Sequence, residues 1–381
     1  TYFDANGNLK AEYADIEKLV LSQLTNKTII VDREMMITQT ANVIENITIK
    51  TVTGAKLEAK FLNISNTNEK PAFILNSTDN RIDSTNITAN TNAIEVYNAS
   101  LFRLNYTNIN VNSEDDVSAI LIINSTFDNQ SYIKFNNITT TGPAGYVNWA
   151  VGYATVNSMS LYQTTGMTIT NNNIITNYNT FTGEYDTIYS INMVSDKFEN
   201  VANHIANNNI ITNGHNYAYG INTINQTVDV HDNVVVSDAL TASGIQVANS
   251  QGTIENNTVT ASSKNNAYGI TISSCNDMKA VGNNINFEGK DITAFSIFGT
   301  VNLSLLNNTI KLNGVNAAAA ELYMANVTDI KYNNISIVAS AKDKAAIVLN
   351  MTGQTIIKDN IISTTAENTV AMDKFSTENV V

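Results

Sequence analysis

The chain is poor in several residue types, and each shortage excludes a class of protein. Its 381 residues include 1 cysteine, Cys275, so no disulfide can form within the chain, and sulfur gives no information about the redox compartment. There are 2 prolines, 1 tryptophan and 3 arginines, and acidic residues outnumber basic ones by 34 to 21. The resulting net charge of −13 disfavours nucleic acid and anionic membranes as partners. No apolar run reaches the roughly 18 residues of a membrane-spanning helix, so we predict no direct membrane insertion of this segment.

Asparagine, in contrast, is abundant, with 61 residues, and much of it belongs to a repeat. One phrase has an apolar residue, then Asn-Asn or Asp-Asn, then a second apolar residue. Its second Asn falls at Asn209, Asn233, Asn257, Asn284, Asn308, Asn334 and Asn360. Between these copies lies a phrase of a small residue followed by an apolar one, at Gly220, Gly244, Gly269, Ser296, Glu321 and Ala346. Both phrases recur about every 25 residues, a period typical of stacked supersecondary units.

The residues inside each unit predict strands. Apolar residues alternate over four or five positions rich in Ile, Val and Thr, and the longer 3.6-residue pattern of helical repeats is missing. Leucine-rich repeats share the period, but their leucine skeleton is absent. About 25 residues accommodate three short strands and three turns, which form one coil of a parallel β-helix.

The small-residue phrase extends beyond the regular repeats. It continues back through Ala72, Ala93, Ala119, Gly152 and Ser190, and forward to Ala371. Parallel strands joined by crossovers wind right-handed. The predicted fold is therefore all-β, a right-handed parallel β-helix of about twelve coils.

We expect one elongated domain with a short helix at its start. Ile16, Leu19, Val20 and Leu24 recur at helical spacing, and an amphipathic helix there would cap the open end of the solenoid or, alternatively, dock a partner. Residues 1–27 are assigned to an N-terminal strand or turn and this helix, and residues 28–381 to the β-helix. Its coils are irregular, with loop insertions, to about residue 206 and regular afterwards, and Thr28–Val31 and Ile44–Ile49 are its first predicted strands.

Two columns of the repeat are interpreted as scaffold. Asn tolerates the left-handed conformation of a sharp corner, and Asn side chains stacked on successive coils can hydrogen-bond to one another. Four aromatic residues each lie two positions before the Ile of the second phrase, namely Tyr189, Tyr219, Tyr268 and Phe295. We predict that they form an internal aromatic stack.

The irregular coils carry the candidate binding site, because repeat proteins place function in their insertions. The predicted insertions are Thr141–Trp149, Met159–Gly166 and Asn177–Thr187. Aromatic faces pack against sugar C–H groups, and carboxylates accept hydrogen bonds from hydroxyls, so this composition favours a sugar-binding or receptor-binding surface. The alternative is that these aromatic residues pin the loops to the rod. The predicted ligand-binding residues are Tyr146, Trp149, Tyr162, Tyr178, Phe181, Glu184, Tyr185 and Asp186.

The repeats resemble those of a known group of proteins. The Asn-Asn column, the phrases YGIN at 219–222 and YGIT at 268–271, and the opening TYFDANGNL resemble adhesin-like cell-surface proteins of methanogenic archaea. The solenoid as a whole resembles the pectin-lyase-like β-helix superfamily. This resemblance implies an extracellular, cell-surface adhesin domain that binds a glycan or a surface protein of another cell through one lateral face. The chain is expected to be a segment of a longer protein, with signal and anchor outside it.

Two other functions stay open, a polysaccharide lyase or glycoside hydrolase of that superfamily and a structural stalk. The paired Asp, His-Gly and Arg-Ile-Lys motifs of polygalacturonases are missing, and no arginine that could act as a lyase base follows Arg103. His204, His215 and His231 do not share a column of the repeat, which argues against a metal cluster. We therefore predict no catalytic residues, no metal and no cofactor.

Overall fold

The chain folds as a parallel β-solenoid. A computed structural model describes residues 24–38, 42–144, 155–181, 187–339, 345–365 and 370–375. Every regular element within these ranges is a β-strand, and each strand pairs in parallel with strands of the neighbouring coils. The prediction of an all-β parallel solenoid of about twelve coils is thus confirmed. The predicted capping helix lies outside the described residues except for Leu24, which is buried in the core.

Each coil contributes to three faces, and in the first coils one strand lies on each face. Face 1 begins with β1 (Thr28–Val31), β4 (Thr48–Thr51), β7 (Phe73–Leu75), β10 (Ile94–Tyr97), β13 (Val117–Thr126) and β16 (Thr155–Thr165). Face 2 begins with β2 (Glu34–Thr38), β5 (Lys56–Lys60), β8 (Asp79–Asp83), β11 (Leu101–Asn105), β14 (Tyr132–Lys134) and β17 (Thr168–Thr170). Face 3 begins with β3 (Ile44–Glu45), β6 (Asn63–Asn66), β9 (Asn86–Ala89), β12 (Asn108–Asn112), β15 (Asn137–Ala144) and β18 (Asn173–Phe181).

In the later coils many strands bend around a corner and serve two faces. Faces 1 and 2 share β19 (Thr187–Ala206) and β21 (Tyr217–His231), and faces 3 and 1 share β22 (Val234–Ala248), β24 (Thr258–Ser273), β26 (Asn284–Phe298) and β28 (Thr309–Tyr323). The remaining strands are β20 (Asn209–Asn213), β23 (Gln251–Glu255), β25 (Met278–Val281), β27 (Val301–Leu306), β29 (Asn326–Lys331), β30 (Asn334–Ala339), β31 (Ala345–Asn350), β32 (Thr355–Lys358), β33 (Ile361–Thr364) and β34 (Val370–Phe375).

Two predicted segments have a different structure. Ile44–Ile49 is not one strand, because Asn46 takes a positive φ of 55° and turns the chain from β3 into β4. Met159–Gly166 is not an insertion, since residues 159–165 lie in β16 and pair with β13 on face 1. Residues 141–144 and 177–181 extend face 3 strands. The remaining parts of the predicted insertions are residues 145–149 and 182–186, which lie outside the described residues.

The interior is one continuous apolar core made of columns of Ile, Val, Leu and Phe. On face 1, Ile221, Ile245, Ile270 and Phe295 are paired in register on successive coils, and each is at most 1% exposed. Cys275 is also fully buried, and its thiol donates to the Ser273 carbonyl at 3.2 Å. Burial raises the pKa of the Cys275 thiol to about 11, so it stays protonated at neutral pH.

The predicted asparagine ladder is present. Each Nδ2 donates to the Oδ1 of the Asn one coil further along, at 2.9–3.0 Å. Each Oδ1 also accepts from the backbone N–H of the preceding ladder Asn, as Asn257 does from Asn233. All members but the last are buried, so these contacts satisfy amides that would otherwise be costly. The ladder consists of Asn136, Asn172, Asn208, Asn233, Asn257, Asn283, Asn308, Asn333 and Asn360.

The predicted asparagine column was wrong in three coils. It contained Asn209, Asn284 and Asn334, whereas the ladder residue in each of these coils is the asparagine one position earlier. These three residues begin face 3 strands. The left-handed corner is formed by yet another residue, the one before each ladder Asn. Asn207, Asn256 and Asn307 have φ of 53–55° and lie at the surface, so corner formation and ladder bonding belong to adjacent residues.

The small-residue column also needs correction. Register places Ala294 and Ala319 in line with Gly269, so Ser296 and Glu321 belong to an outward-facing column. In the coil for which the sequence suggested Gly152, the small residue is Ser158. The next residue, Met159, pairs with Ile120 and Ile191, which follow the small residues Ala119 and Ser190 on the adjacent coils. The position must be small because a Cβ on Gly244 would lie 2.1 Å from Val259 Cγ1 and 2.9 Å from the Gly269 carbonyl oxygen.

Where this position is serine, a buried chain of hydroxyls crosses the interior. Thr140, Ser158, Thr176, Ser190 and Thr212 are all fully buried, and consecutive hydroxyls lie 2.7–3.0 Å apart. A hydroxyl can donate once and still accept, so every member of such a chain is satisfied. The chain links face 3 to face 1 in the coils that precede the regular repeats.

Candidate functional site

Most of the predicted site cannot be placed. Tyr146, Trp149, Glu184, Tyr185 and Asp186 lie outside the described residues, and so does the side chain of Phe181, the last residue of β18. In sequence, the segments that carry them connect β15 to β16 and β18 to β19. Their proposed role in binding therefore stays a prediction.

The two predicted residues that can be placed, Tyr162 and Tyr178, are not brought together. Tyr162 lies at the end of a face 1 strand, where a hydrogen bond to the Asp196 carboxylate raises its pKa. Tyr178 extends a face 3 strand, is 38% exposed, and meets the His215 ring edge-on at 5.8 Å. Tyr162 thus lies near the corner where face 1 leads into face 2, and Tyr178 lies near the corner where face 3 leads into face 1.

The tyrosine column is on the outside of face 1, which corrects its predicted internal position. Tyr189, Tyr219, Ser243 and Tyr268 pair in that order on successive coils, and the next residue of the column is Thr293. Phe295 is not a member, because it pairs with Ile270 in the core. The Tyr189 and Tyr219 rings stack at 5.1 Å with an angle of 18° between their planes. The three tyrosines are half-buried.

Amides and carboxylates lie beside these rings. Asn222 Nδ2 donates to Asn192 Oδ1 at 2.8 Å, and the buried Asn222 Oδ1 has no hydrogen-bond partner among the described residues. Burial raises the pKa of Tyr268, and the Glu321 and Asp291 carboxylates raise it further. We call Tyr189, Tyr219, Tyr268, Asn192 and Asn222 the tyrosine row.

Face 1 continues toward the N-terminus with a second polar group. The Tyr97 hydroxyl donates to Glu95 at 2.9 Å, and Asn92 Nδ2 donates to the other oxygen of the same carboxylate at 2.9 Å. The Asn92 Oδ1 in turn accepts from the Ser118 backbone N–H on the next coil. The outer surface of face 1 therefore carries aromatic, amide and carboxylate groups in the Tyr97 coil and again in the tyrosine row, while Leu121 and Ile123 occupy the positions of Glu95 and Tyr97 on the next coil.

Tyr97 gives a pH test of this arrangement. Burial, and then the hydrogen bond to Glu95, raise the pKa of Tyr97 from 10.0 to about 12. The unfolded chain therefore loses this proton first, and the contribution of Tyr97 to stability should decline as the pH rises from 10 to about 12. Urea unfolding across this range should show that decline in the wild type and a smaller one in Tyr97→Phe. Identical curves would show that the Tyr97 environment has no such effect.

An acidic cavity lies at the corner between face 3 and face 1. It has a volume of about 260 Å³, and Glu114, Asp115, Asn112 and Asn179 are among the residues that line it. Burial, together with the neighbouring Asp115, raises the pKa of Asp116. The Asn179 Nδ2 donates to the Ser113 carbonyl at 3.1 Å and so ties the extended β18 strand to this corner. The cavity offers further hydrogen-bond acceptors at the edge of face 1.

A larger cavity, of about 330 Å³, lies on face 2 in the first coils. Both arginines that line it pair with acidic residues. Arg81 binds Glu58 at 3.2 Å and Asp83 at 3.0 Å, and Arg103 binds Asp79 at 3.0 Å. These contacts link successive coils upstream of the asparagine ladder, so we assign this network to the scaffold.

Two of the three histidines lie beside the same carboxylate. His204 and His231 lie on face 2, with nitrogens 3.2 and 3.9 Å from Asp229 Oδ2. In the described ranges no group of three or more His, Cys, Asp or Glu residues is arranged to hold a metal ion. Nor does any helix there have the length and hydropathy needed to cross a bilayer.

Sequence reasoning placed the tyrosine row inside for an identifiable reason. In a regular strand, residues two apart face the same side, so the residue two before a core Ile should also face the core. Here the strand bends at the small residue, and Ser190 and Ile191 both face inward, which leaves Tyr189 outside. The phrase Tyr-Gly-Ile contained this signal, because a glycine inside a strand often marks such an irregularity.

Comparison with known proteins identifies no family. No family model matches the chain, and no curated protein matches it. Solved structures with similarity include a mutant of the periplasmic alginate epimerase AlgG, with 12% identity, a TM-score of 0.44, and coverage of 92% of this chain and 85% of that one. The surface adhesin PfbA of Streptococcus pneumoniae has 11% identity and a TM-score of 0.38, with 92% and 83% covered. The Dettilon tailspike protein has 14% identity and a TM-score of 0.38, with 90% and 63% covered.

Proposed function

We propose that this chain is a cell-surface β-helix that binds a glycan through the outer surface of face 1. The observation that carries the proposal is the tyrosine row, in which three aromatic rings share one column of face 1 and two amides share another, with carboxylates nearby. Such a surface can pack against sugar C–H groups and hydrogen-bond to hydroxyls. A polymer with repeating units fits a protein surface that also repeats.

The composition supports a neutral or weakly charged polymer rather than nucleic acid. Only 14% of residues are charged, and the net charge is −13. The sequence resemblance to adhesin-like proteins of methanogens supports an extracellular location and a partner cell as the source of the glycan. In that setting Trp149 and the other predicted loop residues would extend the same binding surface.

A binding screen with two readouts tests the proposal. The chain is applied to an array of polysaccharides, and the same polymers are assayed for new reducing or unsaturated ends. We expect retention without cleavage. Cleavage would instead support a lyase or hydrolase, and the absence of both binding and cleavage would favour a stalk.

Variants then locate the site. Tyr189→Ala and Tyr268→Ala should each weaken binding up to about tenfold, the value of one lost aromatic contact. Tyr332→Ala is the matched control, because Tyr332 is 55% exposed but lies at the corner between faces 2 and 3. Binding that is unchanged in both face 1 variants would rule out the tyrosine row as the site.

A further inference from the structure

The corner between face 2 and face 3 carries unusual residues in its first coils. From Phe61 to Asp359, one residue per coil along this corner has a positive φ, and in most of these coils it is Asn, Asp, Ser or Gly, which tolerate that conformation. Phe61, Tyr106 and Phe135 occupy the same position with φ of 49–57°. A left-handed backbone is unfavourable for aromatic residues.

Burial does not explain these aromatic residues. Phe61 is 52% exposed, Tyr106 57% and Phe135 44%, so their rings project from the rod instead of filling the core. The backbone strain is therefore not offset by packing into the interior. Strain of this kind does not by itself mark a site, since Tyr332 shares it, but here it occurs in three aromatic residues within four successive coils.

The spacing of the rings leaves one gap. Tyr106 and Phe135 lie on adjacent coils, and their rings stack at 5.2 Å with an angle of 7° between the planes. Between Phe61 and Tyr106 lies one coil with Ser84 at the corner, since Phe61 N–H donates to the Asp83 carbonyl and Ser84 N–H to the Asn105 carbonyl. Two coil spacings of ~4.8 Å separate the backbones of Phe61 and Tyr106 along the rod, enough for one further ring to stack between their side chains. We call this gap, with walls Phe61 and Tyr106 and floor Ser84, the Ser84 slot.

Polar groups line the slot on both sides. Toward face 2, the Asp83 carboxylate accepts from Ser84 Oγ at 2.8 Å and from Arg81 Nη2 at 3.0 Å, which fixes its position. Toward face 3 lie the amides of Asn63 and Asn86, which pair in register on adjacent coils. Asn86 is exposed, and Ser84 is only half-buried, so the slot is open to solvent.

We propose that the Ser84 slot binds a pyranose ring of a glycan between Phe61 and Tyr106. Both faces of the sugar would stack on aromatic walls, while its hydroxyls reach Asp83 on one side and the amides of Asn63 and Asn86 on the other. An aromatic side chain of a protein partner would also fill the gap, but it has no ring of hydroxyls to hydrogen-bond to the exposed Asn86 amide, so a sugar is the better fit. The slot shares only its ligand class with the proposed function, since it lies on a different part of the surface.

Substitution by asparagine tests the slot without disturbing the corner. Asn occurs at this position in other coils, as at Asn207 and Asn256, so Phe61→Asn and Tyr106→Asn should fold with unchanged or higher melting temperature. Tyr332→Asn is the control, because Tyr332 has a φ of 60° and is exposed but lies between Asn307 and Asp359 and has no second aromatic wall. The probes are methyl glycosides of hexoses, N-acetylhexosamines and hexuronic acids, followed by saturation-transfer NMR and by titration.

We expect at least one methyl glycoside to bind the wild type and Tyr332→Asn equally, and to bind each wall variant up to about tenfold more weakly. Equal binding by the wild type and the Phe61→Asn Tyr106→Asn double variant would overturn the slot. If Tyr189→Ala and Tyr268→Ala then still reduced polysaccharide binding, the proposed function would stand without it. Binding to a protein ligand but to no glycoside would also overturn the slot, and a wild type that bound no saccharide in any assay would overturn both proposals.

Discussion

Replacing Asn257 by Ala should lower the free energy of unfolding by about 4 kcal/mol. The Asn257 side chain donates to Asn283 Oδ1 at 3.0 Å and to the Val230 carbonyl at 2.9 Å, and its Oδ1 accepts from the backbone and side-chain nitrogens of Asn233. Alanine removes these four hydrogen bonds, each worth about 1 kcal/mol, and leaves the buried backbone N–H of Asn233 without its partner. Urea unfolding, read by circular dichroism, measures the difference.

The neighbouring Asn256 provides the control. It is exposed, has a φ of 53°, and forms the corner rather than the ladder. Glycine adopts this conformation at no steric cost, so Asn256→Gly should change stability by less than about 1 kcal/mol. Similar losses in Asn256→Gly and Asn257→Ala would mean that the two adjacent asparagines do not divide their roles as the structure indicates.

Replacing Ile270 by Asp should unfold at least the surrounding coils. Ile270 is fully buried and lies in register between Ile245 and Phe295. A buried carboxylate without a partner costs several kcal/mol, in addition to the apolar contacts that are lost. Hydrogen exchange should show loss of protection in these coils, and protection should recover as the pH falls, since a buried carboxyl is less costly when protonated.

Thr271→Asp is the matched control, because Thr271 lies next to Ile270 on the same strand but faces outward, in register with Gln246 and Ser296. It should leave exchange nearly unchanged. Equal disruption by both substitutions would contradict the assignment of Ile270 to the core and of Thr271 to the surface.

The fold could be predicted because the residues that define it repeat. Stacked coils place identical residues in identical environments, so Ile245 and Ile270 report the same inward position independently. The errors concern register within a coil. In a run such as Asn207-Asn208-Asn209, each of the three asparagines fits the sequence pattern of the ladder position equally well. Only the hydrogen bonds show that Asn208 is the ladder member.

The candidate site was less predictable, because function on a solenoid depends on which way a side chain points. The bend at Ser190 turns Tyr189 outward. The rule that alternate residues of a strand face the same side cannot reveal such a bend. The slot at Phe61 and Tyr106 was missed for another reason. Phe61 and Tyr106 lie far apart in the sequence, and neither belongs to a recognisable motif. That they lie at the same corner, two coils apart, can be seen only once the register of the coils is known.

The asparagine ladder also bears on how such a rod can change its length during evolution. Each ladder Asn bonds to its equivalents on the adjacent coils and to a backbone carbonyl of the preceding coil, and these groups recur from coil to coil. A coil of about 25 residues could therefore be duplicated or lost, and the flanking asparagines would bond across the new junction as before. The reach of the molecule is thus adjustable in steps of ~4.8 Å without redesign of its interior.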